Sequence, residues 1–442
     1  MYPTSFITAC TTALMALPVA AQEMMPATLA GHAVIPAFSF SAPPADAPAE
    51  TWVSGKYTNG PAAIAAPQSV EINGLMLPFF GQPLQGFSGY AAQRGAENSL
   101  YALIDNGFGT KANSSDALLG FTRISPNFDE GTVAVEERIW LHDPDRLAPF
   151  RIVHDGSETR YLTGADFDLE GMQIVGDTVW IGEEFGPYLI SATLEGKVTG
   201  VYPTMVDGKE LRSPDHPALR ATAQAGVDWK LPGSGGYEGL ALTPDKKTLW
   251  GMLEKPMLDE TGAPEGNYLR VLAFDPDARR WTGDSFKFAL TEGAVAIGDF
   301  NFIDDTRALV IERDGGQGHV SAACAAGAAG DCFDAPALIK RVTLIDTAQI
   351  DAEGFVRRLA QIDLMDISDP DGISRMGDTS GQVEDGKFVF PFVTIESVLR
   401  DGEDHILVSN DNNLPFSAGR TLGVPDSNEV IRLYVPELLA AK

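Results

Sequence analysis

The chain has 442 residues, 44% of them hydrophobic, with 45 Gly and 29 Pro, so it can bury a large core and turn often. Its formal net charge is −29. That excludes nucleic acid and anionic lipid as partners, because no basic stripe is there to neutralise phosphates, and it favours cations as ligands.

The chain begins with a small, apolar stretch from Phe6 to Ala21 that ends in Leu17-Pro-Val-Ala-Ala21. This is the pattern of a secretory signal peptide over residues 1–21, cut after Ala21, and it predicts a periplasmic or secreted protein. Met1 to Ser5 carries no Lys or Arg, which departs from the usual signal. Ile7-Thr-Ala-Cys10 has the look of a lipoprotein box, but the apolar stretch follows the Cys instead of preceding it. No other apolar run approaches the ~20 residues of a bilayer span, so no membrane span is expected after cleavage. Residues 22–66 are rich in Ala and Pro and read as an extended arm. Residues 67–442 read as one folded domain.

From Ser69 the pattern is strands. Val70 to Leu77 alternates and turns at Asn73-Gly74, a hairpin signal. Ala134 to Leu141, Lys340 to Ile345 and Val430 to Val435 are further strands, and Leu194–Lys197 and Asp275–Ala278 are turns. Short helices are expected only near Pro214 to Gln224 and Thr347 to Asp351.

Five stretches share one pattern of apolar strand, polar turn, second apolar strand and terminal acid or amide. They run from Gly86 to Asn106, Leu169 to Glu184, Tyr237 to Glu254, Ile297 to Glu312 and Phe392 to Asp411. Short strands in repeated units predict an all-β fold, and the repeat selects a β-propeller over a barrel or sandwich. These five units, with the segment 69–85 joined to the C-terminus, predict six or seven blades. Long loops interrupt them at Pro203 to Gly236 and Asp314 to Pro336.

The inner strand of a blade lines the central channel, and the residue before it sits at the channel mouth. Ser88, Glu170, Glu238 and Asp299 hold those positions, while Glu396 fits the pattern less closely. The second strands end in Asp105-Asn106, Glu183-Glu184, Glu254-Lys255, Glu312-Arg313 and Asn410-Asp411. Antiparallel neighbours bring both sets to one end of the ring. Carboxylates so gathered are ligands for Ca²⁺, which takes six to eight oxygens in irregular geometry. The same acids can instead cap turns by accepting backbone N–H bonds.

We assign the catalytic positions to Glu170, Glu184 and Glu238, the metal ligands to Glu254, Asp299 and Glu312, and the binding of an anionic substrate to Lys255 and Arg313. A bound metal polarises a phosphoryl or carbonyl oxygen and lowers the pKa of its water. No Gly-x-Ser-x-Gly, P-loop or dinucleotide fingerprint is present, and no two of the six His have zinc-ligand spacing. No organic cofactor is expected.

Beyond Cys10, the chain has Cys324 and Cys332, bracketing a Gly/Ala-rich loop. An exported compartment allows these two to pair. A metal site is the rival reading, with only His319 nearby.

The units resemble the bacterial phytase-like family, called "esterase-like activity of phytase". The resemblance lies in Gly86-Phe-Ser-Gly-Tyr90, Tyr101-Ala-Leu-Ile-Asp-Asn-Gly107, Asp168-Leu-Glu-Gly-Met172 and Trp180-Ile-Gly-Glu-Glu184. Tyr237-Glu-Gly-Leu-Ala241, Asp299-Phe-Asn-Phe302 and Val310-Ile-Glu-Arg-Asp314 add to it. It covers roughly residues 80–420 and implies a secreted or periplasmic propeller with hydrolase character. The acidic signature of the established β-propeller phytases is absent as a contiguous motif. The expectation is an exported, Ca²⁺-dependent hydrolase of phosphate esters or related esters, acting as a monomer on a small anionic substrate. Two alternatives stand beside it. One is a non-catalytic binding propeller with structural Ca²⁺. The other is a lactonase-like or carboxylesterase-like metal hydrolase.

Overall fold

The computed structural model describes residues 22–58, 69–105, 107–217, 230–326, 330–375 and 383–442. The expected signal peptide, Asn106 and most of the helix expected near Pro214 to Gln224 lie outside these residues.

The chain is all-β, with sheets curled in the manner of a β-propeller, and five antiparallel units carry it. The second unit is Leu169–Val175, Thr178–Glu183, Tyr188–Thr193 and Val198–Pro203. The third is Tyr237–Leu242, Leu249–Leu253, Tyr268–Asp275 and Arg280–Ala289. The fourth is Ala296–Phe302, Arg307–Arg313, Lys340–Ile350 and Val356–Asp363, with Glu23–Met24 added parallel on its outer edge. In the first unit Gly86 to Tyr90 runs beside Leu100–Ile104, bridged at Tyr90 and Ala102, and Gly120–Asn127 and Thr132–Trp140 follow. The fifth is Thr394–Asp401, His405–Asp411 and Asn428–Tyr434, completed by Thr28–Ile35 from the start of the chain.

Burial follows position in each unit. Tyr237–Leu242 and Ala296–Phe302 are buried at every residue, because inner strands have protein on both faces. Arg280–Ala289 and Thr132–Trp140 are outer strands, and most of their residues face solvent. Apolar side chains then fill the wedge between each neighbouring pair of units. Phe121, Leu169 and Ile181 join the first and second units, and Trp180, Leu240 and Phe274 the second and third. Phe288, Phe300 and Val310 join the third and fourth, and Ile311, Val342 and Val408 the fourth and fifth. Phe87, Tyr90, Leu407 and Val430 join the fifth to the first. Buried aliphatic and aromatic side chains of this kind contribute roughly 1.5–3 kcal/mol each.

The described residues form five units, fewer than the six or seven expected. The segment 69–85, expected to seed another, forms only short ribbons: Val70–Ile72 with Leu75–Leu77, Phe79–Phe80 with Val53–Ser54, and Gln82–Pro83 with Phe40–Ser41. The C-terminal strand instead pairs with Thr28–Ile35, a stretch expected to lie in the extended arm. Register from Thr28↔Tyr434 to Ile35↔Asn428 joins the two ends of the chain and closes the ring.

The ribbons pack Leu77 and Phe79 on Phe108 and Leu414, which follow second strands of the first and fifth units. Asn73 and Gly74 adopt positive φ of 47° and 78°, the backbone that a tight hairpin turn needs. Asn73 donates to the carbonyls of Pro415 and Phe416 at 3.0 and 2.9 Å, so the hairpin braces the loop beyond Asp411. Thr347 to Ile350, expected as helix, continues the strand Lys340–Ile350, and Pro436–Ala440 is the one α-helix described. Among the described residues no helix is long and apolar enough to cross a membrane. Cys324 and Cys332 form a disulfide, as expected.

Candidate functional site

The inner strands are irregular at their first residues, and that irregularity builds the site. Register shifts fall at Glu170 between Leu169 and Gly171, at Glu238 between Tyr237 and Gly239, and at Glu396 between Ile395 and Ser397. The fourth unit has its shift across Gly298-Asp299. A β-bulge re-aims the residue that it inserts. Here it turns Glu170, Glu238 and Glu396 into the ring, and all three line one cavity.

The second strands supply the partners. Leu169 pairs with Glu183, Tyr237 with Leu253, Ile297 with Glu312 and Ile395 with Asn410. One residue further on stand Glu184, Glu254, Arg313 and Asp411, and Asp105 follows Ile104 in the first unit. All five line the same cavity, of about 180 Å³. Asp168 joins them, giving eight carboxylates around one opening.

Three groups of these acids each bring ligand atoms within 4.8 Å of one another. They are Asp105–Asp168–Glu170, Glu170–Glu238–Glu396 and Glu184–Glu238–Glu254. Two oxygens on opposite sides of a Ca²⁺ bonded at 2.3–2.6 Å lie roughly 5 Å apart, so each group is compact enough to share an ion. The donors are all oxygens, with no His or Cys, which suits a hard cation and not zinc. Glu184 Oε1 is buried without a hydrogen-bond partner while its residue lines the cavity, so one acceptor of the bowl is left for a ligand.

Burial raises the acids first, and their neighbours raise them further. Glu170 is held well above the usual carboxylate range by burial, then by Asp105 and Glu238. Burial and Glu254 do the same to Glu184, and burial and Glu238 to Glu396. Burial pushes Glu238 up to about 8, against the pull of Arg313, and Asp411 to about 8 with help from Asp105. Such crowding is relieved by protons or by a cation.

Among the described residues, Arg313 and Lys255 touch the ring on one side. Arg313 Nη2 donates to Glu254, Glu238 and Glu396 at 3.1, 3.2 and 3.3 Å. Burial alone would lower the Arg313 pKa, and these carboxylates outweigh it and raise it. Lys255 Nζ lies 2.9 Å from Glu254 Oε2, donates to the carbonyls of Gly233 and Ser234, and keeps its side chain 33% exposed.

The structure thus brings together Glu170, Glu184, Glu238, Glu254, Lys255 and Arg313, all named from sequence. It does not bring Asp299 or Glu312 to the mouth, and this corrects their assignment as metal ligands. Asp299 accepts from the backbone N–H of Phe300 and Val398, both at 2.7 Å, and from Asn301 at 3.2 Å. It sits in a polar plug deeper in the channel. There Gln173 donates to Asn301 and to Leu240 O, and Asn301 donates to Tyr90 O and Val398 O. Glu312 is held by both terminal nitrogens of Arg358, by Thr343 and by the N–H of Thr291. Four acids lining the cavity were not assigned: Asp105, Asp168, Glu396 and Asp411. The sequence pattern puts Asp105, Glu396 and Asp411 near the channel mouth without giving them a role.

The sequence matches the model of the phytase-like family, described as "esterase-like activity of phytase", over residues 82–414, and the chain belongs to that family. No curated protein matches it. Among solved structures, a GH43 endo-arabinanase from Bacillus licheniformis is similar at 10% identity, covering 78% of this chain and 92% of that one, with a TM-score of 0.35. Glutaminyl cyclase from Myxococcus xanthus is similar at 11% identity over 79% and 91%, TM-score 0.33. The Dos1 propeller is similar at 8% identity over 80% and 69%, TM-score 0.30. Likenesses this distant carry nothing about chemistry.

Proposed function

We propose that the chain is an exported five-bladed propeller that hydrolyses phosphate esters or related esters with a divalent cation, of which Ca²⁺ fits best. The observation that carries this reading is the bowl of eight buried carboxylates, seven of them in three overlapping groups, with the buried Glu184 Oε1 left without a hydrogen-bond partner. Export is supported by the apolar N-terminal stretch and by the Cys324–Cys332 disulfide.

Asp105, Asp168 and Glu170 would hold the cation. A cation there would stabilise negative charge developing on a phosphoryl or carbonyl oxygen. Glu184, whose Oε1 has no hydrogen-bond partner, would accept a proton from an attacking water. Lys255, part-exposed beside Glu254, would meet an anionic group of the substrate at the rim. Asp299 and the Gln173–Asn301 plug support the inner strands and take no part in the chemistry.

The test is turnover of phytate, p-nitrophenyl phosphate and p-nitrophenyl acetate with Ca²⁺ and then with chelator. Hydrolysis that chelator abolishes supports the reading, and folded protein inactive on all three would sink it. A second reading, in which the cation only staples the blades, is favoured by one observation: every acid group draws on at least two units. It predicts a cation-dependent melting temperature with no substrate consumed.

A further inference from the structure

The mouth of the bowl has two unlike sides. The five units close in chain order, each packed on the next and the fifth on the first. In a ring of five the third unit therefore faces the join between the fifth and the first. The third unit brings Lys255 to the rim, one residue past Glu254 in the lining. Arg313 is buried, with Nη2 committed to three carboxylates, so of these two basic groups Lys255 is the one that a substrate meets. Across the mouth the lining is Gly109, from the loop after the first unit's second strand, and Asn413, from the corresponding loop of the fifth.

An exposed aromatic ring stands beside those two residues. The main-chain N–H of Phe416 donates to Asn413 O at 2.6 Å, and a Cβ on Gly109 would lie 3.7 Å from the Phe416 ring. Gly109 has a φ of 71°, a backbone that favours glycine, so no side chain covers the ring from that position, and Phe416 is 38% exposed. The core beneath is supplied by Leu77, Phe79, Phe108 and Leu414, and Phe416 is not among its buried members. Its loop is nevertheless fixed, because Asn73 holds the carbonyls of Pro415 and Phe416. The hairpin tip also meets the turn Thr421–Val424, since a Cβ on Gly74 would lie 3.9 Å from Gly423 O, and Val424 there is exposed. The bowl itself, at about 180 Å³, is smaller than the roughly 300–1,000 Å³ that encloses a drug-sized ligand. It takes one compact polar group and leaves the rest of a substrate on the rim.

We propose that the mouth selects esters with one compact anionic group and an aromatic or other flat apolar alcohol part, the anion turned to Lys255 and the flat part lying on Phe416. The inference deepens the hydrolase reading and rests on it for the reaction. Hydrolysis of such a phosphate ester joins the oxygen of water to phosphorus and breaks the bond from phosphorus to the alcohol oxygen. One proton of the water ends on the released alcohol and the other on the phosphate. Phytate, with a phosphate on every ring carbon, would set further anions against the carboxylates of the lining, and should be a poor substrate.

The experiment compares phenylphosphonate with methylphosphonate, which share a head group that cannot be hydrolysed. Binding to the full chain in Ca²⁺ is measured by isothermal titration calorimetry, and turnover of p-nitrophenyl phosphate and glycerol 3-phosphate is followed in parallel. The wild type should bind phenylphosphonate about 3–10-fold more tightly, the size expected for one aromatic contact. Phe416→Ala should lose that preference and keep the affinity for methylphosphonate, and Phe416→Tyr should retain it. KM for p-nitrophenyl phosphate should rise by a similar factor in Phe416→Ala, with kcat nearly unchanged. If Phe416→Ala fails a near-ultraviolet circular dichroism check of its fold, Phe416→Leu, which has no flat face, takes its place. A wild type that binds both phosphonates equally, or neither, overturns the inference, as does a folded variant without the ring that keeps the preference. A ring preference with no ester turned over overturns the hydrolase reading and leaves the rim site standing, whereas turnover without a ring preference does the reverse.

Discussion

Glu170→Gln should change the stability of this protein in opposite directions with and without a cation. Glu170 belongs to two of the three acid groups, and its main charged neighbours are all acids. Two like charges at the 4.8 Å limit of these groups repel by roughly 3 kcal/mol at an effective dielectric near 20. Proton uptake removes part of that, so in chelator the glutamine should stabilise the fold by about 1–2 kcal/mol. With Ca²⁺ at about 100 times its Kd the wild type gains about 3 kcal/mol by linkage, most of which the variant forgoes. For 442 residues the unfolding entropy is about 0.9 kcal/mol/K, so 3 kcal/mol corresponds to roughly 3 °C. Differential scanning calorimetry should then place the variant about 1–2 °C above the wild type in chelator and about 1–2 °C below it in Ca²⁺. A variant that melts lower than the wild type by the same amount in both buffers would refute the reasoning. Glu170 would then be a structural acceptor, and its neighbours would not be repelling it.

Glu312→Gln should cost about 1–3 kcal/mol in urea unfolding, because it takes the buried carboxylate from the half-buried Arg358 guanidinium, and should leave the Ca²⁺ affinity unchanged. Lys255→Ala should raise KM for p-nitrophenyl phosphate with little effect on p-nitrophenyl acetate, and equal losses on both would count against an anion-binding Lys255. Glu429 provides an acid-linked test. Burial alone would raise its pKa, but Arg420 and His32 outweigh burial and hold it at about 2. A depressed carboxyl contributes stability that is complete above its unfolded pKa and is lost as pH falls through the folded value. Thermal stability should therefore drop by roughly 3 kcal/mol between about pH 4.5 and about pH 2, and Glu429→Gln should remove that step. Gly298→Ala should lower the unfolding free energy measured in urea by about 1–3 kcal/mol or more, since the added carbon meets a carbonyl and not a flexible side chain.

The repeat was legible because its apolar strands and turns are local, and it delivered Glu170, Glu238 and Glu254 to one mouth. The errors share one cause, the alternation of side chains along a strand. Glu183 and Glu184 are adjacent, yet Glu184 faces the cavity while Glu183 accepts from the N–H groups of Phe185, Gly186 and Tyr188. Glu312 and Arg313 divide in the same way. Asp299 was misplaced because the residue equivalent to Glu170 in its unit is Gly298, one position earlier. The closure of the fifth unit was illegible for a different reason. A strand contributed by Thr28–Ile35 closes the fifth unit across nearly the whole chain, and no local pattern announces a pairing that distant.

That closing strand bears on how an acidic bowl can exist at all. Carboxylates gathered from four units push those units apart. In a closed ring they can separate only by opening an apolar wedge or by parting the seam between Thr28–Ile35 and Asn428–Tyr434. The seam is reinforced where it is buried. His32, on one strand, lies 3.0 Å from Glu429 on the other, and Arg420 grips the same carboxylate at 2.6 and 3.0 Å. Arg420 lies between Phe388 and Phe392, 5.0 Å from each ring centre, which shields the group from water. The main-chain N–H of Arg375 donates to the second ring nitrogen of His32, so the imidazole is fixed from both sides. A seam made only of backbone pairing at the rim would be the first place to yield to the strain of the ring. Placing a buried, fully hydrogen-bonded charge cluster across it lets the repulsion remain in the bowl, where a cation can use it.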